Sequence, residues 1–389
     1  MACELPPAEQ PSLKLGYLTL VDSAPLIAAQ ALGLFRALDL EVTLHLEVSW
    51  ANLRDKLIAG HFDGVHMLAP LPAMAALGAS GLRVPLITGL LLSRNGNAIT
   101  VSKHQKPSQT QQQKIRRAAD RTHQAFLNAE ALAARLKEAS KPLTFGVVHT
   151  FSSHMLLLRR WLRLGGIDPD RDVRFIVVPP SQMPDSLSEG LIDGFCAGEP
   201  WNSIAVERGC GYIAACGVDV WRDAPEKLLC VTEHWHNAKP ATHARLRLAL
   251  LSANHWLTQP ANRRAMAEVL AHKDYLDLPS AMLLPALTGN LQIGSLQSEP
   301  QARVNDYLIF NPRIAGRPDA ALAEQLLQEC SKLIGKEIAP QTVETLIRST
   351  FRSDLFDETY EYWAQLPDTS ILRQPILDND LSGVSQKLR

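Results

Sequence analysis

Four side chains in this sequence combine a polar tip with a position where recognition or chemistry could occur. His149 closes a predicted strand; an imidazole there either donates a hydrogen bond and takes up charge near neutral pH, or is an ordinary loop histidine. Trp50 follows an alternating segment, and its indole is either core or a flat apolar wall carrying one N–H donor. Lys227, in Pro225-Glu226-Lys227-Leu228-Leu229, is a cation beside a predicted strand crossing, where a lone lysine is ordinarily solvated. Asn97, in Asn95-Gly96-Asn97, either offers its amide or shapes a turn. Nucleophilic chemistry has one candidate pair, His149 with Cys196. The six cysteines include no CxxC pair and read as separate small apolar residues of a reducing compartment, not as a metal or disulfide set. No glycine-rich nucleotide loop and no metal-spaced cluster stands out, so no catalytic residue, cofactor or metal is expected.

The elements that must position these side chains come in two similar series. Gly60-His61-Phe62-Asp63-Gly64 with Pro70 recurs, 130 positions later, as Gly190-Leu191-Ile192-Asp193-Gly194 with Pro200. Leu15-Gly16-Tyr17-Leu18 recurs at the same offset as Phe145-Gly146-Val147-Val148. One offset for two blocks implies two α/β lobes on one plan, with a ligand cleft between them. In the first series, patterning predicts strands over 13–20, 41–48 and 62–68 and helices over 23–32, 52–59 and 72–78. A short strand over 98–101 is the expected crossing. The second series predicts strands over 143–148, 173–178 and 192–197, helices over 153–164 and 182–189, and a return crossing over 227–232. Helices such as 243–257 and 320–333 follow. The expected division is a flexible start (1–12), lobe 1 (13–101 and 233–373), lobe 2 (102–232) and a surface tail (374–389). The Asp63-Gly64 and Asp193-Gly194 pairs read as turns into strands.

Bulk properties narrow the partners. A net charge of −1 over 389 residues gives no general pull toward nucleic acid or anionic membrane. Arg116, Arg117 and Arg121 lack an aromatic platform and read as a solvated helix face. The apolar run 84–92 is broken and too short to span a bilayer. Met1–Pro11 has neither the basic start nor the apolar stretch of a secretory signal, which gives a cytoplasmic expectation. Ligands of open α/β sheets sit beyond the carboxyl ends of strands. That points to 19–23, 49–50 and 68–70 in the first lobe, and to 149–150, 179–182 and 197–201 in the second.

The stretches SWANLRDKLIAGHFDGVHMLAPLP, VVPPSQM, GLIDGFCAGEPWN and PEKLLCVTEHW resemble the nitrate/bicarbonate-binding branch of the periplasmic-binding-protein-like proteins. The resemblance runs over about 13–373. It implies a two-lobed type II periplasmic-binding-protein-like fold, each lobe a mixed, mostly parallel sheet flanked by helices, closing on one small anion. By position it implies Trp50, Asn97, His149, Thr150 and Lys227 as the anion contacts. Asn97 stands where the nitrate receptors carry Gln, and Thr150 where they carry Gly. A cation at Lys227 suits nitrate or nitrite; the bicarbonate branch carries an acidic residue there, with a divalent metal. These five side chains supply donors and no fixed negative charge, as a planar, weakly hydrated monoanion requires. Combined with the absent signal, the resemblance extends to cytoplasmic nitrate/nitrite sensors, which sequester an ANTAR-type RNA-binding antiterminator until nitrate or nitrite binds. That expectation includes no direct nucleic-acid contact and no membrane. The competing expectations are the receptor of a nitrate transporter and a small-molecule enzyme on the same scaffold.

Overall fold

The structure is a computed structural model describing residues 5–79, 81–138, 141–293 and 302–377. The chain divides into two α/β units: residues 1–94, 225–287 and 309–389 form one, residues 95–224 and 288–308 the other.

The first unit is built from β1 (Ser12–Leu18), α1 (Ala24–Ala31), β2 (Glu41–Glu47), α2 (Trp50–Ile58), β3 (Gly64–Leu68), α3 (Leu71–Ala76) and β4 (Leu86–Asn95). The second runs through β5 (Asn97–Ser102), α4 (Gln109–Arg116), α5 (Arg121–Glu138), β6 (Leu143–Val147), α6 (Ser153–Leu164), β7 (Val173–Val177), α7 (Met183–Ser188), β8 (Gly194–Gly198), α8 (Trp201–Glu207) and β9 (Gly211–Cys216). β10 (Pro225–Thr232) then returns to the first unit. Further helices follow, including Pro240–Trp256, Ala320–Ile334 and Ser353–Gln365.

The two large sheets are mixed. The first has the order β4-β10-β3-β1-β2, preceded by the two-residue strand Leu308–Ile309; the second has the order β7-β6-β8-β5-β9. Pairing is parallel where strands alternate with helices, as in β1 with β2 and β3, and β6 with β7 and β8. It is antiparallel at β10 and β5, which lie beside β3 and β8 respectively.

The expected crossings sit differently. The strand expected over 98–101 to close the first lobe pairs with β8 and β9, so the chain changes unit at Arg94/Asn95. The strand expected over 227–232 to belong to the second lobe pairs with β3 and β4. Residues 288–308 also lie in the second unit. Within the run 84–92, weighed above only for membrane length, residues 86–92 form most of β4 and are buried, with strands on both sides. The start of the chain is tied down where it is described. Glu9 accepts the Ala241 and Thr242 N–H groups at 3.0 and 2.8 Å, and Gln10 donates to Asp63. Residues 1–4 and 378–389, which hold part of the expected flexible start and most of the tail, lie outside the described residues.

The repeat has a physical basis. Asp63 Oδ2 accepts the Lys14 N–H at 2.8 Å, and Asp193 Oδ2 accepts the Thr144 N–H at 2.8 Å, the same clamp at the same offset. Gly16 and Gly146 are equivalent close approaches. A Cβ on Gly16 would come within 2.5 Å of Leu53 and 2.8 Å of Phe62. A Cβ on Gly146 would come within 2.7 Å of Met183 and 3.1 Å of Ile192, the residues 130 positions after those two. A Cβ at either position would force the facing side chains to shift.

Candidate functional site

The ends of β1, β3 and β10 in the first unit bury a cluster of ionisable groups. β1 leads into a single 3-10 turn, Val21–Ser23, which carries Asp22. Lys227 lies opposite Leu68 in the β10–β3 ladder, so it stands at the carboxyl end of β3. Its Nζ is 2.9 Å from Asp22 Oδ2 and donates a hydrogen bond to Glu226 Oε1. His66, inside β3, places Nε2 3.2 Å from Asp22 Oδ1. Asp22, His66, Glu226 and Lys227 are all at most 2% exposed, so these charges interact in a medium of low polarity.

Burial alone would disfavour every charge here, but for Asp22 and Lys227 the pairings outweigh it. Asp22 is held well below the ordinary carboxyl range: its burial is overcome by the Lys227 ammonium and by His66. Lys227 is likewise raised against its burial by Asp22 and Glu226. His66 is lowered by burial and by Lys227, against the pull of Asp22. Lys227 and Asp22 are therefore a fixed ion pair, while His66 is the neutral member at pH 7.

Trp50 lies over this cluster, its ring centroid 5.4 Å from Lys227 Nζ and 5.4 Å from the His66 ring. Trp50 was expected at a strand end. It is instead the first residue of α2, whose N-cap Ser49 accepts the Asn52 N–H at 3.2 Å. The indole is fully buried, and Nε1 has no hydrogen-bond partner among the described residues. A buried donor left unmade costs about 1–3 kcal/mol, a cost removed when a ligand accepts from it.

The structure brings together two of the five expected contacts, Trp50 with Lys227, in the first unit; Asn97, His149 and Thr150 belong to the second. Asn97 pairs with Gly198 at the carboxyl end of β8. It is fully buried, and neither end of its amide has a partner among the described residues. It therefore offers a donor and an acceptor, not merely a turn. His149 follows β6 and is half-buried. Its Nδ1 accepts the Phe151 N–H at 3.0 Å, which leaves Nε2 to carry the proton of the neutral ring. Thr150 beside it is exposed.

Sequence reasoning missed Asp22, His66 and Glu226. Two carboxylates touch Lys227, so the expectation of a site without fixed negative charge is corrected: the lysine arrives already neutralised. The available signals were Glu226 beside Lys227 in the chain, and Asp22 within the strand-end segment 19–23. A second buried acid, Glu199, follows β8. Its carboxyl accepts the Ser203 N–H at 3.1 Å and the Tyr307 hydroxyl at 3.2 Å, and burial raises its pKa to about 7. Cys196, the nucleophile considered above, is fully buried in β8. Among the described residues no group of three or more His, Cys, Asp or Glu is placed to hold a metal ion, and no helix is long and apolar enough to cross a membrane.

Residues 6–271 match the model of the NMT1-like family. The chain belongs to the NMT1-like family. This NMT1-like chain is 35% identical over 366 residues to the nitrate import ATP-binding protein NrtC of Synechocystis sp., covering 92% of this chain and 51% of that protein. It is 32% identical over 295 residues to the bicarbonate-binding protein CmpA of Synechococcus elongatus, covering 74% of this chain and 63% of that protein. The crystal structure of the periplasmic nitrate-binding protein NrtA from Synechocystis PCC 6803 superposes with a TM-score of 0.82 at 25% identity, over 92% of this chain and 90% of that one. The NMT1-like chain thus has the α/β fold of periplasmic binding proteins. It spans about half the length or less of the ATP-binding import proteins it matches, from 38% to 51%.

Proposed function

We propose that this chain is a solute-binding protein for a small oxyanion of the nitrate/bicarbonate class, and that nitrate or nitrite is the ligand. The observation that carries the reading is the unpartnered indole N–H of Trp50, whose ring centroid lies 5.4 Å from the buried Lys227 ammonium. Nitrate accepts hydrogen bonds and donates none. An ammonium has three donors; one goes to Glu226, while Asp22 stands 2.9 Å away as its ion-pair partner, so donor capacity remains for an anion. The Asn97 amide and the His149 Nε2–H are the further donors of the proposal. The names of the relatives support the ligand class. Lys227 distinguishes nitrate and nitrite from bicarbonate with a divalent metal, on the resemblance set out above. A thermal-shift comparison tests this: nitrate and nitrite should raise the melting temperature by mass action. Stabilisation by bicarbonate with calcium, and none by nitrate, would overturn it.

What the bound state signals has two readings. In the first, the chain is the receptor portion of a nitrate import system, supported by relatives named for nitrate and bicarbonate import. In the second, it is a cytoplasmic sensor that holds an ANTAR-domain RNA-binding antiterminator when empty and releases it when nitrate or nitrite binds; the sequence resemblance supports it. The import reading has the more direct support. Both make the chain a binding protein and not an enzyme. Pull-down of an ANTAR-domain protein with and without nitrate separates them. Nitrate-sensitive release selects the sensor, and absence of any complex selects the receptor.

A further inference from the structure

We propose that Ser153 is a further contact to the anion, its hydroxyl donating to the same ligand as the Asn97 amide. The inference rests on the reading that Asn97 contacts a small oxyanion. Ser153 is the first residue of α6, and the residue 130 positions earlier, in the first unit, is Ser23. The two hydroxyls are used differently. Ser23 Oγ donates to the Leu20 carbonyl at 2.7 Å and closes the turn before α1. In the second unit that work falls to Ser152. Its Oγ donates to the His149 carbonyl at 2.7 Å and accepts the Met155 N–H at 3.1 Å, so one side chain closes the turn and caps α6. Ser153 is left without a structural task. It is fully buried, and its hydroxyl has no partner among the described residues. A buried hydroxyl left unmade is a standing cost to the fold, which an alanine would avoid.

Packing brings Ser153 toward Asn97. Leu157 lies one turn further along the same face of α6. A Cβ added to Gly217 would come within 3.2 Å of Leu157 Cδ1 and 3.6 Å of Asn97 Cβ, so this face of α6 and the Asn97 side chain meet over one point. Helix side chains lean toward the N-terminus, and the next one in that direction on this face is Ser153. The Asn97 amide is fully buried as well, without a partner at either end among the described residues. Two orphaned polar groups on adjoining elements mark a space kept for a polar ligand. The amide N–H and the rotatable O–H are neutral donors, and the positive end of the α6 dipole lies beside them. That set suits a monoanion that accepts hydrogen bonds and donates none.

Titration calorimetry of the full chain with potassium nitrate, run beside thermal melts, tests the assignment. Ser153→Ala should bind nitrate about tenfold more weakly or worse, the loss of one hydrogen bond to a charged acceptor. Its ligand-free melting temperature should stay level or rise, because the orphaned hydroxyl is gone. Ser152→Ala should instead melt lower, because α6 loses its cap. A Ser153→Ala chain that binds nitrate as tightly as the natural chain overturns the proposal and leaves the anion reading standing. A Ser153→Ala chain that melts lower, or does not fold, also overturns it, since the hydroxyl would then serve the fold. A Ser152→Ala chain that melts as the natural one does would overturn the division of work between the two serines on which the proposal stands. If the natural chain binds no nitrate, both the proposal and the anion reading fall.

Discussion

Lys227 pairs with Leu68 at the end of β3, and Asn97 pairs with Gly198 at the end of β8. Leu68 and Gly198 are 130 positions apart, so the ammonium of one unit and the amide of the other occupy the same place on the repeated plan. The surroundings differ in the same sense. Asp22, His66 and Trp50 have Ser152, Cys196 and Pro180 at the equivalent positions. The scaffold was kept, through the paired aspartate clamps and the close approaches at Gly16 and Gly146, while the polar chemistry diverged. One unit buries an ionised cluster; the other buries an unpaired neutral amide. Where the second unit does bury an acid, at Glu199, the first has Ala69.

The largest expected difference is in stability. Lys227→Met removes the ammonium that faces the buried Asp22 and Glu226 carboxylates and should cost ~3–5 kcal/mol in urea unfolding. Lys227→Glu should cost at least as much, so its loss of anion binding would not be a clean readout. Asn97→Ala removes an amide that has no partner and should cost less than about 1 kcal/mol. Equal costs would mean that the two positions are not chemically different.

The two units should also respond to pH in opposite directions. Asp22 is held below its ordinary value of 3.8, so its contribution is present above that pH and lost as pH falls through its lowered value. Glu199 is raised from 4.5 to about 7, so its contribution is present below 4.5 and lost as pH rises through about 7. Glu199→Gln should therefore stabilise the chain at about pH 8 by on the order of 2–3 kcal/mol relative to its effect at about pH 5. A pH-independent effect, read from melting temperatures, would remove Glu199 as a titrating group.

The smallest difference should lie in the shared scaffold. Asp63→Ala and Asp193→Ala should each cost about 1–3 kcal/mol by losing the strand clamp. Asp63 should cost somewhat more, because its Oδ1 also accepts from Gln10 and Trp235, at 3.0 Å each. Among the described residues Asp193 Oδ1 accepts a longer bond, 3.3 Å from Gln105, beyond its clamp. A cost several-fold larger in one unit would show that the clamps are not equivalent.

This pattern explains what could be read from the residues alone. Glycine spacing and the Asp-Gly pairs are local features, so the two-fold plan and most strand and helix positions were legible. The points where the chain changes unit were not, because β5 and β10 take their places through long-range antiparallel pairing that leaves no periodic trace. Trp50 and Lys227 could be singled out by type. Asp22 and His66 could not be joined to them, since three separate strand ends must converge before their charges meet. Glu226 stood in plain view beside Lys227. Adjacent residues on a strand normally face opposite sides, so nothing in the sequence announced that its carboxylate turns back to the ammonium.

The most direct test of the account removes the whole cluster at once. The triple variant Asp22→Asn, Glu226→Gln, Lys227→Met leaves none of these three charges behind, and so separates anion binding from the cost of an unpaired buried ion. Nitrate titration of that variant should show a folded protein with at least about a hundredfold weaker binding, the loss of roughly one strong charge-assisted contact. A folded triple variant that binds nitrate as tightly as the natural chain would contradict the placement of the anion at Lys227.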